Sequence, residues 1–143
     1  MAAVHHIGFN CADRRREEGF LTEHLGFKRC RVFNPGVDNE FVMLRLGGTC
    51  VELFDAPEGA RKPAPQPALG FVHLAFEVGD LDGKVGELKK AGCSVGDIID
   101  CSNVTPGMRV CFFEDPEGNT LELMEQWADE DNPTAAPEIR EQP

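Results

Sequence analysis

The chain has 143 residues, of which 41% are hydrophobic and 27% are charged, as is typical of one globular domain. Its formal net charge of −11 argues against nucleic-acid and anionic-membrane partners, because both select basic surfaces. The sequence has neither the roughly 18 consecutive apolar residues of a membrane helix nor a signal-peptide pattern, so we expect a cytoplasmic protein.

The first half of the chain contains one predicted helix among four predicted strands. The helix begins after Asp13, a residue suited to an N-cap, and ends at Gly26. Alternating or continuous apolar residues predict strands at 4–9, 28–33, 40–46 and 49–54.

The second half of the chain repeats this order. Its helix begins after Asp80 and is expected to stop at Gly92. Strands are predicted at 70–78, 94–97, 109–114 and 120–125.

Both halves therefore follow the plan βαβββ, which predicts an α+β domain of two paired modules. Module 1 covers about 4–55 and module 2 about 70–126, within a domain that spans 1–127. The Pro- and Ala-rich segment 56–68 is interpreted as a linker, and the acidic segment 128–143 as a flexible tail. Each module leaves one sheet face uncovered, so the modules must pack together or across a homodimer.

The cysteines are interpreted as buried structural thiols. Their spacings are wide, no C-x-x-C occurs and nothing indicates secretion, so neither a disulfide framework nor a thiolate metal site is expected. The six are Cys11, Cys30, Cys50, Cys93, Cys101 and Cys111.

Two histidines and two glutamates occupy matching positions in the two halves. His6 and His73 lie in the first strand of each half and are 67 positions apart. Glu52 and Glu122 lie in the last strand of each half and are 70 positions apart. Because the two offsets nearly agree, a two-fold relation between the modules brings these side chains toward one axis.

Each of these residues alone has an ordinary explanation. A single strand histidine is more often a structural hydrogen-bonding group than a ligand, and a single strand glutamate usually lies on the solvated face. A buried carboxylate needs a partner, which is an arginine, a protonated histidine or a metal. Two histidines and two glutamates at equivalent positions favour the metal.

Several motifs resemble the vicinal-oxygen-chelate superfamily, in particular its glyoxalase I and methylmalonyl-CoA epimerase branch. The resemblance spans about residues 4–126, and its most specific part is the final hairpin. The motifs are HIGF at 6–9, FLTEHLGF at 20–27, VELF at 51–54, VHLAF at 72–76 and FEDPEGNTLELME at 113–125.

The resemblance implies two modules that form a curved-sheet cup around one six-coordinate divalent ion, in a homodimer that acts on a small-molecule substrate. Nickel, cobalt, zinc, manganese and iron all suit nitrogen and oxygen ligands. The implied activity is that of a metal-dependent lyase or isomerase, which transfers a proton next to a carbonyl group. Glu122 would act as the base, in alternation with Glu52, and the implied ligands are His6, Glu52, His73 and Glu122.

Two other functions remain open within the same superfamily, a dioxygenase and a metal-free drug-binding protein. The lack of tyrosine argues against a dioxygenase, since those relatives use additional His and Tyr residues, and the four-ligand set argues against metal-free binding. Asn10 stands where short glyoxalases carry an arginine, which argues against glutathione. Asn10, Arg45 and Arg109 are candidate substrate contacts, although a solvated role is equally open for the two arginines.

Overall fold

The structure, a computed structural model, describes residues 1, 3–62 and 69–136. In module 1 a helix lies between the first and second of four strands. These elements are β1 (His6–Cys11), α1 (Arg14–Leu25), β2 (Lys28–Phe33), β3 (Phe41–Leu46) and β4 (Thr49–Asp55).

Module 2 repeats this arrangement, so the predicted pair of βαβββ modules is confirmed. Its elements are β5 (Leu74–Glu77), α2 (Leu81–Lys90), β6 (Val95–Asp100), β7 (Arg109–Glu114) and β8 (Thr120–Glu125).

Each module contains one four-stranded mixed sheet. The strand order is β1–β4–β3–β2 in the first sheet and β5–β8–β7–β6 in the second. The first strand of each module runs parallel to the last, and the other neighbours are antiparallel. The parallel pairing places the first and last strands of a module side by side, which are the strands that carry the candidate ligands.

Both helix starts and the end of α1 follow the predicted capping residues, whereas α2 ends with Ala91 as its C-cap, one residue before the predicted Gly92. The Asp13 side chain accepts a hydrogen bond from the backbone N–H of Arg16, and Asp80 accepts one from Gly83. Gly26 ends α1 with a φ of 79°, a left-handed conformation that glycine adopts without steric cost.

One hydrophobic core joins the two modules. The Phe20 and Phe113 ring centroids lie 6.4 Å apart, and Phe27 packs edge-on against Phe76 at 6.0 Å. The core draws on the helix-facing sides of both sheets, with residues such as Leu53 and Leu123 fully buried. The opposite sheet faces, which carry Glu52 and Glu122, do not contribute to this core.

The strand limits differ from prediction mainly at the first strand of module 2. A strand was expected over 70–78, but β5 starts only at Leu74, where its pairing with β8 begins. Phe71 and Val72 precede it and are exposed, so apolar character here does not mark strand residues. Strand β6 continues to Asp100 and contains an irregularity in its pairing with β7.

Other predictions about the chain are tested only in part. Residues 56–62 contain no helix or strand, while 63–68 of the predicted linker and 137–143 of the predicted tail lie outside the described residues. The domain limit at 127 stays a prediction. Cys30 is exposed, in contrast to the expectation of buried thiols, because it lies at an irregular position of β2. No helix in the described parts of the chain is long and apolar enough to cross a membrane.

Candidate metal centre

The first pair of candidate ligands lies on β1 and β4. His6 Nε2 is 3.7 Å from Glu52 Oε1, and the Glu52 side chain is 15% exposed. The Nδ1 atoms of His5 and His6 lie 2.9 Å apart. With Nδ1 occupied by His5, the free ring nitrogen of His6 is the one nearest Glu52.

The second pair occupies the equivalent place on module 2. His73 Nε2 is 2.8 Å from Glu122 Oε2, and the Glu122 side chain is 12% exposed. The His73 ring packs edge-on against Phe112, with centroids 5.5 Å apart. We call each pair a half-site, half-site 1 being His6 with Glu52 and half-site 2 being His73 with Glu122.

The two half-sites do not meet within one chain. Among the described residues, no group of three or more His, Cys, Asp or Glu side chains is arranged to hold a metal ion. The reason is the shared core, which joins the helix-facing sides of the two sheets and leaves both half-sites on the opposite faces. Each half-site therefore offers one ring nitrogen and one carboxylate, a donor pair that suits a divalent ion but does not complete its coordination.

The sheet faces that carry the half-sites are named here cup face 1 and cup face 2. The strand registers define their members, since neighbours in register point to the same side of a sheet. Cup face 1 comprises His6, Gly8, Asn10, Lys28, Arg31, Phe33, Phe41, Met43, Arg45, Cys50, Glu52 and Phe54. On β5, β7 and β8, cup face 2 comprises Ala75, Glu77, Val110, Phe112, Glu114, Thr120, Glu122 and Met124, with His73 directly before β5.

Two of the three candidate substrate contacts lie on cup face 1. Asn10 is beside Phe54, and Arg45 is beside Cys50 in the strand register. Arg109 lies on the helix-facing side of β7 instead. There its guanidinium binds the carboxylates of Asp82 and Glu125, at 2.7 Å and 2.5 Å. The structure thus brings Asn10 and Arg45 to a half-site and does not bring Arg109 to one.

A polar cluster between the modules was not singled out from the sequence. Glu117, in the β7–β8 turn, accepts hydrogen bonds from the backbone N–H groups of Ala12 and Asp13, at 2.9 Å and 2.8 Å. Glu17 of α1 is fully buried nearby, although a glutamate is usually exposed. Its spacing from Phe20 and Leu21, three and four residues later, places it on the buried face of the helix and was the available signal.

The fold and the histidine–glutamate pair in each module together define a class of protein. Comparison with known sequences identifies the same class. Residues 3–123 match the Glyoxalase/Bleomycin resistance protein/Dioxygenase superfamily, and the chain belongs to this family, the vicinal-oxygen-chelate superfamily.

Particular relatives extend over nearly the whole chain. The Bacillus subtilis protein YwkD is 34% identical over 128 residues, which are 88% of this chain and 98% of YwkD. The Escherichia coli protein YaeR is 35% identical over 129 residues, 86% of this chain and 95% of YaeR. A crystal structure of a glyoxalase family protein from Enterococcus faecalis is 30% identical with a TM-score of 0.70, covering 86% of this chain and 97% of that one.

Proposed function

We propose that this protein is a metal-dependent lyase or isomerase that moves a proton on a carbon next to a carbonyl group. The observation that carries the proposal is the presence of two half-sites at equivalent register positions. Each combines the Nε2 of a histidine, at or directly before the first strand of a module, with a glutamate oxygen on the last strand of that module. A single His–Glu pair has a structural explanation, but its repetition in both modules favours a shared function.

The proposed metal is shared between two copies of the chain. Half-site 1 of one copy and half-site 2 of the other supply two ligands each, so a two-fold symmetric dimer contains two complete sites. The arrangement within one chain supports this, because the core keeps the half-sites apart while leaving both cup faces free to meet a partner. The ligands are then His6, Glu52, His73 and Glu122.

A bound divalent ion would supply Lewis acidity toward the oxygens of a carbonyl substrate. The chain itself supplies the group that carries the proton. Glu122 lies between Phe112 and Ala75 in the strand register, a mostly apolar setting that keeps water from competing with the substrate. We assign Glu122 as the proton carrier and Glu52, its counterpart in module 1, as the alternate one.

The shared site is tested by mixing two inactive variants. His6→Ala disables half-site 1 of a chain and His73→Ala disables half-site 2, so each variant alone forms dimers without an intact site. A mixed dimer combines the intact half-site 1 of one chain with the intact half-site 2 of the other. After random subunit exchange between equal amounts of the two variants, about half of the dimers are mixed, and each mixed dimer has one intact site out of two. Metal content therefore returns to about a quarter of the parental value.

The measurement is metal per chain, by elemental analysis of protein purified without chelator, with the dimer followed by light scattering. His24→Gln is the matched control, since His24 lies at the end of α1, away from both half-sites, and metal content is unchanged. A mixture that stays as metal-poor as the separate variants contradicts sharing between copies. Parental protein that binds no divalent metal contradicts the proposal as a whole and leaves metal-free binding as the function.

A further inference from the structure

The two cup faces carry opposite charges at equivalent positions. Arg45 on β3 stands opposite Cys50, the residue two positions before Glu52. Glu114 on β7 stands opposite Thr120, the residue two positions before Glu122. The half-sites themselves match, so the charge at this neighbouring position is what distinguishes one face from the other.

The same asymmetry extends along each face. Lys28 pairs in register with Arg45, and Arg31 pairs with Met43, so three cations share cup face 1. Glu52 is the one carboxylate among the members of that face. Within the part of the chain that the structure describes, none of the three cations forms an ion pair, whereas Arg14, Arg29 and Arg109 all do. The chain has a net charge of −11, so carboxylates are abundant, yet these three cations beside a half-site pair with none of those that the structure describes. This pattern indicates that the surface binds an anionic ligand.

A row of aromatic rings adjoins the cations on cup face 1. Phe33 and Phe41 stack with centroids 4.3 Å apart, and Phe41 and Phe54 stack at 4.7 Å. The Arg31 guanidinium carbon lies 5.3 Å from the centre of the Phe33 ring. Phe54 is two positions after Glu52, while Cys50 and its neighbour Arg45 lie on the other side of Glu52. The half-site glutamate therefore stands between an apolar aromatic shelf and a cationic patch.

We propose that the substrate is an anion with a flat apolar body, bound on cup face 1 with its negative group at Arg45. Lys28 and Arg31 add to the positive potential, and the apolar body lies on the shelf of Phe33, Phe41 and Phe54. In the proposed dimer, cup face 2 of the second copy lies across from cup face 1 and repels the anion through Glu77 and Glu114. The substrate therefore takes one orientation in the cup. This inference names the substrate class of the proposed enzyme. It rests on the proposed function in one respect, which is that the cup is the substrate site.

The test uses two fluorescent probes that share one aromatic body, 2-naphthoate and the uncharged 2-naphthamide. Both are titrated into metal-free, chelator-treated protein, because a metal would bind the carboxylate directly. All residues of the proposed anion site lie on cup face 1 of one chain. The binding measurement therefore requires neither a bound metal nor enzyme activity. Parental protein is expected to bind the anion about fivefold to tenfold more tightly than the amide, as for an anion held by one or two exposed charges.

Substitutions assign the preference to the patch. Arg45→Met is expected to reduce the preference for 2-naphthoate to about twofold or less, and Arg45→Lys to restore part of it, because lysine keeps the charge but not the paired donors. Lys89→Met removes an equal charge from α2, outside the cup, and leaves the preference unchanged. Phe41→Ala is expected to weaken both probes by a similar factor, since it removes the shelf and not the charge.

Equal binding of the two probes by parental protein overturns the inference. An unchanged preference in Arg45→Met also overturns it, because the anion is then held elsewhere. Metal uptake, measured separately on the same preparation, decides the proposed function. A protein that prefers 2-naphthoate but takes up no metal supports the anion site and contradicts the metal-dependent activity, so the two failures are distinguishable.

Discussion

The carboxyl group of Glu17, on α1, contacts the carboxyl group of Asp115, in the turn between β7 and β8. Asp115 accepts hydrogen bonds from the backbone N–H and the side-chain amide of Asn119, at 2.7 Å and 2.8 Å. No group among the described residues donates a hydrogen bond to either carboxyl oxygen of Glu17. Burial, followed by the contact with Asp115, raises the pKa of Glu17 to about 9, so Glu17 keeps its proton at neutral pH.

The first prediction is that Glu17→Gln stabilises the protein at neutral pH. The folded pKa lies above the unfolded value of 4.5, so the folded chain holds a proton that the unfolded chain releases, and stability falls as pH rises from 4.5 to about 9. Glutamine has nearly the same shape as the neutral glutamic acid and releases no proton on unfolding. The free energy of unfolding at pH 7 is expected to rise by about 2–3 kcal/mol.

Urea unfolding at pH 5, 7 and 9 measures this effect. The gain from Glu17→Gln is small at pH 5 and grows toward pH 9. Glu23→Gln, an exposed position on the same helix, gives no such trend. A variant that is less stable than the parent at pH 8 would show that Glu17 is ionised in the folded protein.

The second prediction concerns Arg109, which has a structural role on the helix-facing side of β7. Its guanidinium binds Glu125, a buried residue whose Oε2 also accepts the backbone N–H of Leu81 at the start of α2. The hydrogen bond from Arg109 lowers the pKa of the Asp82 carboxyl group. Arg109→Met leaves Glu125 buried without its cation and is expected to lower the unfolding temperature by roughly 5 °C.

Thermal unfolding of the single and double variants checks this assignment. Adding Glu125→Gln to Arg109→Met recovers part of the loss, because the unpaired charge is removed. The preference for 2-naphthoate over 2-naphthamide stays parental in Arg109→Met. A loss of that preference would instead place Arg109 at the substrate.

The third prediction concerns the joint between the modules. Glu117 ties the β7–β8 turn of module 2 to the backbone of Ala12 and Asp13, just before α1. Glu117→Ala is expected to lower the free energy of unfolding by about 1 kcal/mol, as for the loss of a helix-capping side chain. Chemical denaturation measures the change, with Glu58→Ala, in the segment after β4, as a neutral control. No difference between the two variants would mean that this contact does not hold the modules together.

The fourth prediction tests Glu122 as the proton carrier. Glu122→Gln keeps an oxygen beside His73 but accepts no proton at neutral pH, so proton exchange with solvent at the substrate's acidic carbon is expected to slow by about 100-fold or more. Nuclear magnetic resonance in deuterated water follows this exchange for a substrate found by screening anionic aryl carbonyl compounds. Glu23→Gln, an exposed position on α1 outside both cup faces, is the matched control and exchanges at the parental rate.

Metal content is measured on each variant before the exchange experiment, so that loss of the ion is not mistaken for loss of the base. If Glu122→Gln exchanges the proton as fast as the parent, Glu52 becomes the residue to test. Glu52 would then be the main proton carrier and Glu122 the alternate one, and the assignment of the half-sites would be unchanged.

The order of elements was predictable because its signals are local. Asp13 and Gly26 mark the ends of α1 through contacts within one helical turn, and the limits of β7 and β8 follow from alternation within each strand. The start of β5 was not predictable in this way. Phe71 is apolar but has no partner strand, and pairing with a distant strand is a property that neighbours in sequence do not carry.

The sequence by itself determined that each module carries one histidine near its start and one glutamate in its last strand, since the repeat matches His6 with His73 and Glu52 with Glu122. The tertiary structure alone decided that these pairs do not meet within the described part of one chain, that Arg109 lies apart from them, and that Glu17 is buried against Asp115. These outcomes depend on which sheet faces share the core between the modules. That choice is made by packing between residues far apart in the chain, for which no local pattern exists.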